Sequence, residues 1–329
     1  MLRLVHDTHY DFIRWWKWAA GLTAAFIVIG LGSLIVKPPN FSIEFTGGTL
    51  MQLEFKQPVD VGQLRARLDA ANIHGAEIQQ FGSNREYTVR AQEAEQATGA
   101  TTGAESVARR IQTLLAQQYG PGNVRVVRTE AVGPRVGEEL RRDAVIAMLL
   151  SFLVTTVYLA IRFEWRFGVA ALIATGHDVF TTLAFLKLMH LEISLTVVAA
   201  ILTVIGYSLN DTIIIFDRVR ENLRKGRKES LYDTLNRSIN ETLPRSILTH
   251  ATTLAATLAL LFFAGEVIRP FAWVMAFGIF TGTFSSIYIA SPVLLWIERK
   301  WPRRTSAFQT SSTATRTSPT RRSPATATR

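Results

Sequence analysis

Apolar positions in this chain gather into six runs, each long enough at 1.5 Å per residue to cross a hydrocarbon layer of roughly 30 Å. The pattern places them at 15–36, 143–161, 167–188, 195–216, 245–264 and 270–297. Between the first and second runs the periodicity changes. Residues 42–55 alternate as a strand, with Ile43, Phe45, Leu53 and Phe55 around a Gly47-Gly48 interruption. Residues 61–73 repeat Leu64, Leu68 and Ala71 at helical spacing, 76–81 and 86–91 are short strands, and 105–119 carry Val107, Ile111, Leu114 and Leu115 on one helical face. A strand at 124–129 completes the order. The expectation is an α-helical membrane protein with six transmembrane helices and one small exported α+β domain, ferredoxin-like with βαββαβ order, between helices 1 and 2. Its parts are 1–37 (N-terminus and first helix), 38–135 (exported domain, with 92–103 as a polar loop), 136–300 (helices 2 to 6) and 301–329 (a basic tail too poor in apolar residues to fold).

Charge orients this frame. Arg14 and Lys17, Arg162 and Arg166, the run Arg218, Arg220, Arg224, Lys225, Arg227 and Lys228, and Arg299, Lys300, Arg303 and Arg304 fall on one side, against Lys187 and Arg269 on the other. Both termini are therefore expected in the cytoplasm. Arg3, Arg14 and Lys17 precede the first run as in a signal peptide, but Lys37-Pro38-Pro39-Asn40 offers no small-residue cleavage site, so the run reads as a retained anchor.

Composition agrees: 48% hydrophobic residues and a mean hydropathy of +0.17 fit an integral membrane protein. A net charge of +10 does not indicate nucleic acid, because the basic residues flank apolar runs instead of lining one face; for the tail two readings are open, a dispensable extension or arginines resting on anionic lipid. Without cysteine there are no disulfides, thiolate catalysis or thiolate metal sites.

The candidate chemistry is the polar residues inside apolar runs, where each is costly unless partnered or used. Asn210 and Asp211 interrupt the fourth run; Asp211 lies about 7–8 Å from its cytoplasmic end, with Val204, Tyr207 and Ser208 on the same helical face. Two readings are open: a carboxylate that fixes helix packing, or one that gains and loses a proton as helices move. Arg245, at the start of the fifth run and at similar depth, is the candidate cation; a plain positive-inside anchor is its alternative. His177 and Asp178 lie near mid-bilayer, at about 18 Å depth, as a proton relay or a helix lock. No second histidine or carboxylate stands at ligand spacing, so neither metal nor cofactor is expected. Asp217 and Arg218 read as an interfacial pair. Gly278, Gly282, Ser286 and Ala290 form a small-residue stripe for close helix packing, within this chain or against a partner.

FTGGT at 45–49, VGPRVGEEL at 132–140, GHDVF at 176–180, VIGYSLNDTIIIFDRVREN at 204–222 and TLPRSILTHATT at 242–253 together resemble the SecF family of protein-export membrane subunits, over roughly residues 15–300. The resemblance implies an accessory, non-enzymatic subunit of the bacterial preprotein translocase in the inner membrane. Its partners would be SecD, the SecYEG channel, YajC and unfolded preprotein, with proton-motive force driving late export steps. It also implies that Asp211 and Arg245 correspond to the family's intramembrane aspartate and the arginine opening its fifth helix.

Two other readings compete. One half of an RND-type small-molecule exporter shares the helix plan but normally joins both halves in one chain. An intramembrane aspartyl protease would use Asp178 and Asp211, whose depths differ by more than a shared-proton dyad allows.

Overall fold

The computed structural model describes residues 8–71, 73, 76–80, 83–91, 102–120, 122–225, 229–265 and 267–302. All but the first two residues of the tail expected at 301–329, most of the polar loop expected at 92–103, and Arg227 and Lys228 fall outside them. Among the described residues, six helices are long and apolar enough to span a membrane.

The first is α1 (Trp16–Val36). The chain then winds one helical turn, α2 (Ile43–Thr46), where a strand was expected. The cause is Gly47: at φ 72° it ends the turn in the left-handed region, so the strand β1 starts only at Gly48 (Gly48–Phe55). A Cβ on Gly47 would also lie 2.8 Å from Pro134 Cα, so the glycine pair permits a close crossing as well as a reversal.

There follow α3 (Val61–Ala70), capped by Asp60 onto the Gln63 amide, β2 (Glu77–Gln80), β3 (Glu86–Ala91), α4 (Thr102–Tyr119) and β4 (Val124–Val132). The four strands form one antiparallel sheet in the order β2-β3-β1-β4, the ferredoxin-like arrangement. Alternation supplies its core: Met51, Leu53, Phe55, Tyr87 and Val89 point inward against Leu64, Leu68, Ile111 and Leu115.

The other spans are α5 (Pro134–Arg162), α6 (Trp165–Leu188), α7 (Leu195–Arg224), α8 (Leu231–Phe263) and a sixth built from α9 (Arg269–Ser285), one π turn at Ser286–Ala290 and α10 (Ser291–Lys300). Pro292 has no amide to donate back, which accounts for the widened turn before it. Three helices run past their apolar segments. α5 starts nine residues before the predicted 143, α7 continues past 216, and α8 starts fourteen residues before 245 with Pro244 inside it. The extensions of α7 and α8 are amphipathic: Val219, Leu235 and Ile239 are buried in the core, and their other faces carry charge. Arg218 pairs with Glu221 and Glu241 at 2.6 Å each, and Asn222 donates to Ser238 at 3.0 Å.

Candidate functional site

The bundle interior is organised by the small-residue stripe, and its partner helix is α7 of this same chain. Gly278 faces Val204, Gly282 faces Ser208 with room for no Cβ (2.9 Å to Ser208 Cβ), and Ser286 Oγ hydrogen-bonds Thr212 Oγ1 at 2.8 Å. Residues 204, 208 and 212 thus meet 278, 282 and 286 turn by turn.

Close packing brings polar groups to Asp178, which is fully buried on α6. One of its oxygens accepts hydrogen bonds from Ser208 of α7 and, at 2.8 Å, Ser285 of α9; the other lies 3.1 Å from His177 Nδ1. Both oxygens of Asp178 have partners, and three helices are tied at one point. His177 Nε2 is buried without a partner. Ser208 therefore serves Asp178, not Asp211 as the shared helical face suggested.

Asp211 is 3% exposed. Its Oδ1 accepts the Ser246 hydroxyl at 2.5 Å, and its Oδ2 is buried with no hydrogen-bond partner. Leaving one carboxylate oxygen unmatched costs about 1–3 kcal/mol or more. Arg245 lies on the exposed surface of α8, pointing away from the residue beside it, and Ser246 takes the place expected for it. Asn210 is exposed, and Tyr207 OH donates to the Thr249 carbonyl at 3.2 Å. Asp178, level with Ser208, is offset from Asp211 by about one helical turn, less than counting from run ends gave. The two acids have separate hydrogen-bond partners. Asp217 and Arg218 do not pair with each other: Asp217 takes Arg162 at 3.2 Å, and Arg218 takes the two glutamates.

Three residues escaped the sequence reading: Ser246, His250 and Ser285. The first two belong to a polar stripe, Ser246, Thr249, His250 and Thr253, recurring at helical spacing in an otherwise apolar run, and that spacing was the available signal. His250 Nδ1 lies 3.1 Å from Thr283 Oγ1 on α9, and its ring packs edge-on against Tyr207 at 5.4 Å. Among the described residues, no three His, Asp or Glu side chains converge as a metal site.

The other end of α7 joins the sheet unit. Ser194 caps the helix onto the Val197 amide, and Glu44 Oε2 accepts the Leu195 amide at 2.7 Å. Residues 40–42 and Ile193 form one isolated bridge, Ile193 N to Asn40 O at 2.7 Å and Ser42 N to Ile193 O at 3.0 Å. Arg90 of β3 pairs with Glu192 at 2.6 Å. The helix holding Asp211 is thus bonded directly to the unit built on the sheet.

The family described as "Protein export membrane protein SecD/SecF, C-terminal" matches residues 111–300, and the SecD/SecF GG motif matches 32–59. The chain is 62% identical over 309 residues to the protein translocase subunit SecF of Gemmatimonas aurantiaca, covering 93% of this chain and 92% of that one. It is 38% identical over 291 residues to the SecF of Escherichia coli O157:H7, covering 88% of each. Its structure resembles crystalline SecDF, a translocon-associated membrane protein from Thermus thermophilus, with a TM-score of 0.79 and 36% identity. The match covers 91% of this chain and 40% of that one.

Proposed function

Since the chain belongs to the SecD/SecF family of protein-export membrane proteins, as a SecF, we propose that it couples proton movement at Asp211 to motion of its exported domain against an emerging preprotein. It is an accessory subunit of Sec protein translocation and a multi-pass inner-membrane protein. Its work is mechanical: no covalent bond of the preprotein changes. SecD is its partner; the 40% of the SecDF chain that it matches leaves a second half for SecD to supply. The SecYEG channel, YajC and unfolded preprotein complete the assembly, and both termini face the cytoplasm.

The observation that carries the reading is the half-satisfied carboxylate. With Oδ1 held by Ser246 and Oδ2 buried and open, charged Asp211 is poorly compensated and neutral Asp211 is not, so protonation changes what the surrounding helices prefer. Arg245, on the surface of α8 beside Ser246, reaches the carboxylate only after α8 turns, which makes the pair a two-position switch. Movement of α7 then passes through Glu44 and the Arg90–Glu192 pair to the exported sheet. In vesicles carrying the complete translocase, gradient-stimulated export should survive Asp211→Glu and vanish with Asp211→Asn; stimulation unchanged by Asp211→Asn rules the coupling out.

A further inference from the structure

Two layers of side chains cross between α7 and α8. In one, Asp211 meets Ser246; in the next, one turn earlier on α7 and one turn later on α8, Tyr207 meets His250. Antiparallel helices stack such i and i+4 pairs directly, so His250 lies diagonally one turn, about 5.4 Å along the axis, from Asp211. His250 is the nearer of the two to the exported end of α8. We propose that His250 is the second proton-exchanging group of this membrane site, receiving protons from the exported side and passing them to Asp211. The proposal rests on the reading of Asp211 given above.

The surroundings suit the role. Nδ1 is oriented by Thr283, while Tyr207 packs against the ring and, with its hydroxyl bound to the Thr249 carbonyl, holds a fixed position. The titratable or charged groups around His250 are few. α7 presents Asp211 and Tyr207; α9 carries only Arg269, at its far end; and on α8 itself Arg245 lies on the exposed surface. Among the described residues, Asp211 is therefore the one acidic neighbour. In the transfer an N–H bond of the imidazolium breaks and an O–H bond forms on Asp211 Oδ2, the oxygen left open; the neutral imidazole then takes its next proton from the exported side. One proton moves and no electron does. With the ring held by Thr283 and Tyr207, the proton crosses to Asp211 through one bridging water.

The test uses full-length chain with its SecD partner in liposomes, with ¹⁵N-labelled histidine and the His250 signal assigned by its loss in His250→Gln. Wild type should titrate at His250 in two steps, because the imidazole feels Asp211 change charge. Asp211→Asn should reduce this to one step, and Asp211→Glu should retain two, which separates coupling from misfolding. A His250 curve identical in wild type and Asp211→Asn overturns the relay. If Asp211→Asn still abolishes gradient-driven export in that case, the Asp211 reading stands without His250. Export that survives Asp211→Asn instead removes both.

Discussion

Glu44 Oε2 accepts the backbone N–H of Leu195 at 2.7 Å, so a residue of the turn after the first span caps the helix that carries Asp211. A carboxylate at a helix N-terminus faces open amides and the positive end of the helix dipole. Removing it should loosen the joint between α7 and the sheet unit. Glu44→Ala should cost about 1–2 kcal/mol, with faster amide exchange at 195–198, whereas Glu44→Gln keeps the hydrogen bond and should cost less. Unchanged exchange in Glu44→Ala would show that Ser194 caps the helix unaided.

The crossing of α7 and α9 should be intolerant of added volume. Gly282→Val drives a side chain into Ser208 and should destabilise by about 1–3 kcal/mol or more, read as a lower unfolding temperature in detergent. Gly176→Ala is the control. Nothing lies within 4 Å of a Cβ there, and a helical alanine should be neutral or stabilising by up to about 1 kcal/mol.

Asp178 should behave as a structural knot. Ser285→Ala strips one of its donors and should cost about 1–3 kcal/mol, while Asp178→Ala frees both serines and should cost more. Gradient stimulation per folded molecule should persist in Ser285→Ala, since Asp211 has its own hydrogen-bond partner. A double-mutant cycle between Ser208→Ala and Ser285→Ala should show coupling, because both meet one oxygen.

These outcomes bear on what the amino-acid pattern could reveal. The six spans and the strand order were legible because a bilayer fixes run length and a sheet face fixes alternation. Helix ends were not: 217–224 and 231–243 are amphipathic, burying Val219, Leu235 and Ile239 while carrying the Arg218–Glu241 pair, and a run-length reading of hydropathy does not register so few apolar positions. The turn at 43–46 was missed because two positive-φ glycines outweigh the strand-like alternation on either side. Asp211 itself was legible as an acid in an apolar run, but its partner was not. Arg245 and Ser246 are adjacent, so they point about 100° apart on the helix, and only the rotation of α8 selects the serine.

Before α1, residues 10–13 are bound to the start of α8. Asn240 exchanges two hydrogen bonds with the Tyr10 backbone at 3.0 and 2.9 Å, and Asp11 accepts from Tyr232 OH at 2.5 Å and Asn236 at 2.9 Å. The Tyr232 hydroxyl bond outweighs the opposing desolvation and, with smaller help from the Arg14 amide and Asn236, holds the Asp11 carboxyl below its ordinary value. A lowered folded value means the contact is fully stabilising above the ordinary carboxylate range, near pH 4, and is lost as pH falls through the folded value. Proteolysis before Trp15 should therefore rise on acidification below about pH 4, and Asp11→Asn should flatten that dependence. The effect is small because the carboxyl is exposed.

The most direct measurement is proton uptake into liposomes that hold this chain with SecD and the channel while a preprotein is being exported across them. Wild type and Asp211→Glu should take up protons in step with export, and Asp211→Asn should take up none above the level without preprotein. Equal uptake in Asp211→Asn would contradict the assignment of proton coupling to this carboxylate.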